Sequence, residues 1–130
     1  MRHFVQYHNA ERYGPAVVDL IIHTSRPVQA LPGNMVWLIA GAGRPREYRL
    51  LKVFVVDEIG PLADDDFAHY ARGSQGKFFA PGVLLSGRPT FSQFLRSQAN
   101  FSLGLREIRD RTHVAMLQAA AVDGGYAPPG

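Results

Sequence analysis

Apolar residues between Met35 and Val56 recur on both faces of an extended chain rather than along one stripe. Side chains of a strand alternate between its faces, so Met35, Trp37 and Ile39 share one side and Val36, Leu38 and Ala40 the other. Neither side offers a polar surface to water, which predicts a central strand covered twice. The segment Leu50 to Ile59 repeats the pattern: Leu51, Val53 and Val55 oppose Leu50, Phe54 and Val56, and Lys52 is the polar interruption. Between the arms lies Gly41-Ala42-Gly43-Arg44-Pro45-Arg46-Glu47-Tyr48-Arg49, whose glycines and proline mark a turn and whose arginines make it basic. Two apolar strands joined this way predict a mixed sheet or small barrel with a basic loop at one end, not a helical bundle.

The flanking segments are less regular. Phe4, Val5 and Tyr7 predict a short first strand, followed by a polar turn through His8, Asn9 and Glu11. Val17 to His23 is a second β-branched run, closed by Ser25, Arg26 and Pro27. Beyond Gly60-Pro61, the run Asp64-Asp65-Asp66 ahead of Phe67, Ala68 and Tyr70 predicts the start of a short helix, because carboxylates complement its N-terminal dipole. Gly73-Ser74-Gln75-Gly76-Lys77 reads as a flexible loop into Phe78-Phe79, and Pro81-Gly82 introduces apolar Val83 to Leu85. Thr90 and Gln93 have capping-box spacing for a helix that buries Phe91, Phe94 and Leu95 and ends before Phe101. Phe101, Leu103 and Leu105 then alternate with Ser102, Gly104 and Arg106 as a late strand would. Asp110 or Thr112 opens a final helix containing Val114, Leu117 and Ala121, stopped by Gly124-Gly125. Residues 1–125 are expected to form one domain, with 126–130 as a C-terminal tail.

Composition narrows the function classes. A chain of 130 residues that is 46% hydrophobic and 19% charged has enough apolar material for one core and is not the composition of a disordered segment. The formal charge of +3 and pI near 9.6 permit contact with phosphate, and also fit ordinary solubility charge. The absence of cysteine excludes disulfides, thiolate catalysis and cysteine-rich zinc sites. No apolar run approaches the roughly 20 residues of a membrane span, and His3, Gln6, His8 and Asn9 occupy the place where a signal peptide is apolar. The expectation is a soluble cytoplasmic protein with no membrane partner.

Few residues form a recognisable reaction centre. Gly41-Ala42-Gly43 lacks the third glycine of a dinucleotide fingerprint and the Lys-Ser/Thr ending of a phosphate loop, and Pro45 opposes a helix start. The five histidines, at 3, 8, 23, 69 and 113, have no metal-ligand spacing, so neither a metal nor a cofactor is expected. An enzyme reading, as a small hydrolase or nucleotide-processing protein, rests on His8 with a carboxylate. The arginines point elsewhere: Arg44, Arg46, Arg49 and Lys52 are four cations within nine residues, suited to successive phosphates. An extruded base needs planar walls and groups that read its edge. Trp37 and Phe101 are candidate stacking rings, and Gln98 and Asn100 candidate edge readers. The structural alternative is core packing for Trp37, a helix C-cap for Asn100 and a solvated rim for the arginines.

Met35-Val36-Trp37-Leu38-Ile39, the arginine-rich turn and Leu51 to Ile59 together resemble the PUA-like superfamily of EVE, ASCH and YTH-type domains. Arg44, Glu47 and Arg49 fall at the Lys, Glu and Arg spacings of an ASCH signature, with Ala42 in place of its glycine and a position later in the chain than usual. Phe4-Val5-Gln6-Tyr7 stands where EVE domains open on Tyr-Trp. The resemblance implies an α+β fold, a small twisted mixed β-barrel with peripheral helices, that binds RNA or modified bases in DNA. Ser97-Gln98-Ala99-Asn100-Phe101-Ser102-Leu103-Gly104-Leu105 is similar to a stretch found in small bacterial proteins and nuclease-linked domains, which implies a reader working beside a separate nuclease. The leading expectation is a noncatalytic nucleic-acid-binding module, for DNA or RNA, recognising a modified or flipped base. A protein-interaction or assembly domain is the competing reading.

Overall fold

A computed structural model of the chain describes residues 1–129. It is a mixed α+β domain. The elements are β1 (His3–Tyr7), α1 (Ala10–Tyr13), β2 (Ile21–Thr24), β3 (Met35–Ala42), β4 (Glu47–Val55), β5 (Glu58–Pro61), β6 (His69–Arg72), β7 (Gln75–Leu84), α2 (Phe91–Ser97), β8 (Arg106–Ile108) and α3 (Arg111–Asp123). Five strands make one sheet in the order β7-β4-β3-β1-β8, with β1 and β3 parallel and the other pairs antiparallel; three make a second, β2-β6-β5. The expected barrel is replaced by these two sheets, which do not close on each other.

The two-sided alternation of β3 is what holds the layers together. Met35, Trp37 and Ile39 pack with Phe91 and Phe94 of α2 and Met116, Leu117, Ala120 and Ala121 of α3. Val36 and Leu38 face the opposite way, against Ile22 and Ala71 of the small sheet and Val28 and Leu31 of the connecting loop. Each large apolar side chain buried this way contributes roughly 1.5–3 kcal/mol. The central-strand expectation therefore holds for the whole hairpin.

Strand β4 departs from even alternation. The β3 register steps from Leu38↔Lys52 to Ile39↔Leu50, so Leu51 is an extra residue, a β-bulge. The bulge places Leu50 and Val53 in one core and leaves Leu51 and Phe54 in the other. It also turns Lys52 toward the small sheet. There the residue is 1% exposed, and its ammonium donates to the carbonyls of Asp19 and Ile21 at 2.8 and 2.9 Å.

Several expectations give way. The second strand is Ile21–Thr24 only, because β6 offers four partners and no more; Val17 and Val18 stay exposed. Asp64 opens no helix: its Oδ1 accepts from the amides of Asp66 and Phe67, a turn that carries the chain from β5 into β6. Glu58 and Ile59 belong to β5, outside the long hairpin arm. Gly76 and Lys77 are strand residues, not loop. At Gly76 a Cβ would lie 2.1 Å from the Val53 carbonyl oxygen, so glycine permits close approach of β7 to β4. Thr90 stands at the N-cap of α2 with φ 70° and makes no side-chain cap bond; its Oγ1 is buried without a partner. Phe101 ends a single 3-10 turn, Ala99–Phe101, whose residues have φ of 48°, 53° and 62°, and the late strand begins only at Arg106. Asp110 does cap α3, accepting from the Thr112 amide, and Gly124 closes it. Tyr126 packs against the helix-side core, and Gly130 of the expected tail lies outside the described residues. No helix among the described residues is long and apolar enough to cross a membrane.

Candidate nucleic-acid interface

The C-terminal ends of β1 and β3, the turn into β4 and the 3-10 turn meet at one end of the large sheet. Tyr7, the last residue of β1, is the junction. Its hydroxyl accepts from the Gly41 amide at 3.1 Å and from Arg46 Nη1 at 3.1 Å, and its ring stacks on Phe101 at 5.7 Å between centroids and 13° between planes. Gly41 lets Arg46 lie flat there, since a Cβ would come within 2.9 Å of Arg46 Cδ. Arg46 then reaches Glu11 of α1 at 3.6 Å. Phe101 also contacts Tyr48 and Phe94, which makes it the outer member of an aromatic cluster rooted in the core.

Of the residues singled out from sequence, Arg46 and Phe101 are thus brought together. Arg44 is exposed on the turn and has no ion-pair or hydrogen-bond partner among the described residues. Asn100 is exposed in a left-handed conformation that asparagine tolerates well. Arg49 points to the opposite face of the hairpin, where Nη1 donates to the Gly82 carbonyl at 3.1 Å. Gln98 is buried at the end of α2 and lines neither of the hollows described below. Trp37 presents nothing: it is 0% exposed, its Nε1 donates to His3 Nδ1 at 3.0 Å, and the two rings stack at 6.0 Å. Its stacking role is withdrawn, because a central strand covered on both faces leaves no ring surface for a base.

The histidines do not converge. His3 lies in the helix-side core, where burial and then the N-terminal charge lower its pKa, consistent with a neutral ring accepting from indole. His8 faces the other side and bonds the Gly14 carbonyl at 2.7 Å. Among the described residues no three His, Asp or Glu side chains could hold a metal.

Two hollows open on that other side, each about 380 Å³, with His8, Pro15 and Ala16 forming the ridge between them. The first lies where the small sheet meets β1, β3 and β4. Tyr13 and Phe67 form an aromatic wall with centroids 5.1 Å apart, extended by His23 at 6.1 Å from Phe67. Gln6, Thr24 and Lys52 supply polar groups, and Leu38 an apolar floor. Burial pushes the Lys52 ammonium down to about 8, partly opposed by the charge of Asp19. Arginines surround the opening: Arg12 binds Asp66 of the rim at 3.1 Å, and the Arg26 stem approaches Gly104, another lining residue. The second hollow is more apolar, with Leu51, Phe78, Ala80 and Pro81, and Arg49 at its side.

From sequence, Lys52 groups with the cations of the arginine turn, and Tyr13 carries no signal of its own. The missed signal was Lys52 itself, a lysine inside the apolar run Leu50 to Val56. A charge there is buried unless its strand lies at an edge, and a buried ammonium needs polar partners nearby. Neither a protein-family model nor a curated protein sequence matches this chain.

Proposed function

We propose that this protein is a noncatalytic nucleic-acid-binding module that receives an extruded base in the hollow walled by Tyr13 and Phe67, while arginines engage the flanking phosphates. The observation that carries the reading is the position of that aromatic hollow beside a set of arginines on separate elements. Its size falls in the range of small-ligand pockets, roughly 300–1,000 Å³, and its mixture of rings and a few polar groups is what recognition of a base edge requires. Arg12 and Arg26 at the opening, and Arg46 and unpaired Arg44 at the end of the sheet, supply cations for the backbone. The reading also extends the PUA-like resemblance, in which a pocket between sheet and loops holds a modified base. The acting groups differ from those expected from sequence: Tyr13 and Phe67 replace Trp37, and Gln6 and Lys52 replace Gln98 and Asn100.

The protein-interaction reading draws on the second hollow, where Leu51 and Phe78 leave part of the large sheet apolar and open. The two readings separate on duplexes that differ by one unpaired base. Extrusion costs a few kcal/mol from a paired stack and less from a mismatch. The base-receiving module is expected to prefer the mismatched duplex by about ten-fold or more, and Phe67→Ala to abolish that preference. Equal affinity for both duplexes would refute base extrusion.

A further inference from the structure

Lys52 is only partly used by the fold. An ammonium carries three donors, and the structure accounts for two, to the Asp19 and Ile21 carbonyls at 2.8 and 2.9 Å. Both acceptors are neutral, and no carboxylate forms an ion pair with Lys52 among the described residues. Its ammonium is therefore buried with no carboxylate in contact, the charge of Asp19 acting on it only from a distance, at the wall of a hollow that a ligand can enter. Such a group favours an oxygen acceptor placed on its remaining N–H.

The rest of the lining decides which acceptor. Asp64 and Asp66 stand at the rim, and only Asp66 is paired, with Arg12. With Asp66 matched by Arg12, Asp64 offsets Lys52, so the inside of the hollow carries no net positive charge that would favour a phosphate there. The Tyr13 and Phe67 rings, 5.1 Å apart and tilted 51° to each other, provide an angled aromatic wall. A planar, uncharged ring with a carbonyl oxygen satisfies the wall, the buried donor and the acidic rim at once.

We propose that the hollow selects a heterocyclic base bearing a ring carbonyl, an oxo-purine or oxo-pyrimidine, whose oxygen accepts from Lys52 Nζ while the ring lies against Tyr13 and Phe67. The inference deepens the base-receiving function and rests on it for how the base arrives, but free nucleosides test it without a nucleic-acid backbone. Guanosine and uridine carry the carbonyl; adenosine lacks one. Saturation-transfer NMR on the full chain is expected to show guanosine and uridine binding about ten-fold tighter than adenosine, the worth of one charge-assisted hydrogen bond. Lys52→Met is expected to erase the difference and Phe67→Ala to weaken all three nucleosides alike. Should Lys52→Met fail to fold, competition on the wild-type chain decides: inorganic phosphate must not displace guanosine. Adenosine binding as tightly as guanosine, or displacement by phosphate, would overturn the proposal. Absence of nucleoside binding beside salt-sensitive oligonucleotide binding would overturn it while leaving the nucleic-acid function intact. Absence of both would remove the two together.

Discussion

Replacing Trp37 by Phe separates a core residue from a ligand-binding one. The indole is 0% exposed and donates to a histidine that is itself 6% exposed, so the substitution acts in two ways. Removing about three heavy atoms from a packed core leaves a void worth roughly 1–2 kcal/mol. His3 Nδ1 loses its donor, and a buried acceptor without a partner costs about 1–3 kcal/mol. The sum is about 2–5 kcal/mol. In urea, with a slope of about 2 kcal/mol/M, the midpoint is expected to fall by about 1–2.5 M. Far-UV circular dichroism is the appropriate probe, since Trp37 is the single tryptophan and its emission disappears with it. The double variant His3→Leu/Trp37→Phe removes both polar partners, so its destabilisation is expected to fall short of the sum of the single effects by about 1 kcal/mol. A midpoint unchanged in Trp37→Phe, together with lost nucleic-acid binding, would refute the core assignment and restore Trp37 as a binding ring.

Three other outcomes follow from the same geometry. The lowered pKa of His3 means that below about pH 6.5 the unfolded chain takes up a proton that the folded chain refuses; stability is expected to decline as pH drops from 7 toward the folded value, and this slope to flatten in His3→Leu. Lys52 acts in a second window: between about 8 and 10.5 the folded chain has released a proton that the unfolded chain keeps, so stability rises with pH there, and a flat urea midpoint across that range would show the ammonium to be solvated. Gly76→Ala would set a Cβ 2.1 Å from the Val53 carbonyl and 2.6 Å from Phe54 Cβ, and is expected to cost about 2–4 kcal/mol by thermal melting, whereas Lys77→Ala beside it stays near wild type.

What was legible in the sequence was local. Alternation on both faces of Met35 to Ala40 identifies a central strand because burial on two sides leaves no other pattern, and Asp110 followed by an apolar period identifies α3 because capping needs no distant partner. The losses came from long-range pairing. Gly73 and Gly76 read as flexibility, yet each lies against a β4 carbonyl where a side chain cannot fit, and that contact is invisible until β7 is known to cross β4. The aspartate run read as a helix start, since an Asx turn and a helix N-terminus use the same residues. Leu51 as a bulge leaves no trace in an apolar run. The arginine turn was readable because glycine, proline and charge mark turns directly. The hollow was not, because Tyr13, His23, Lys52 and Phe67 come from four separate segments that only the meeting of two sheets brings together.

The central claim is that arginines at the end of the sheet and around the hollow hold a nucleic-acid backbone. Fluorescence anisotropy of the wild-type chain and Arg44→Ala/Arg46→Ala, with single-stranded and duplex DNA and RNA carrying plain and modified bases at 50 and 200 mM salt (roughly the range over which a few phosphate contacts become visible), tests it directly. The account predicts wild-type affinity that falls with salt and a smaller salt slope in the double variant, because two fewer counterions are released on binding. Wild-type affinity indifferent to salt, or no binding to any of these nucleic acids at the lower salt, would contradict it.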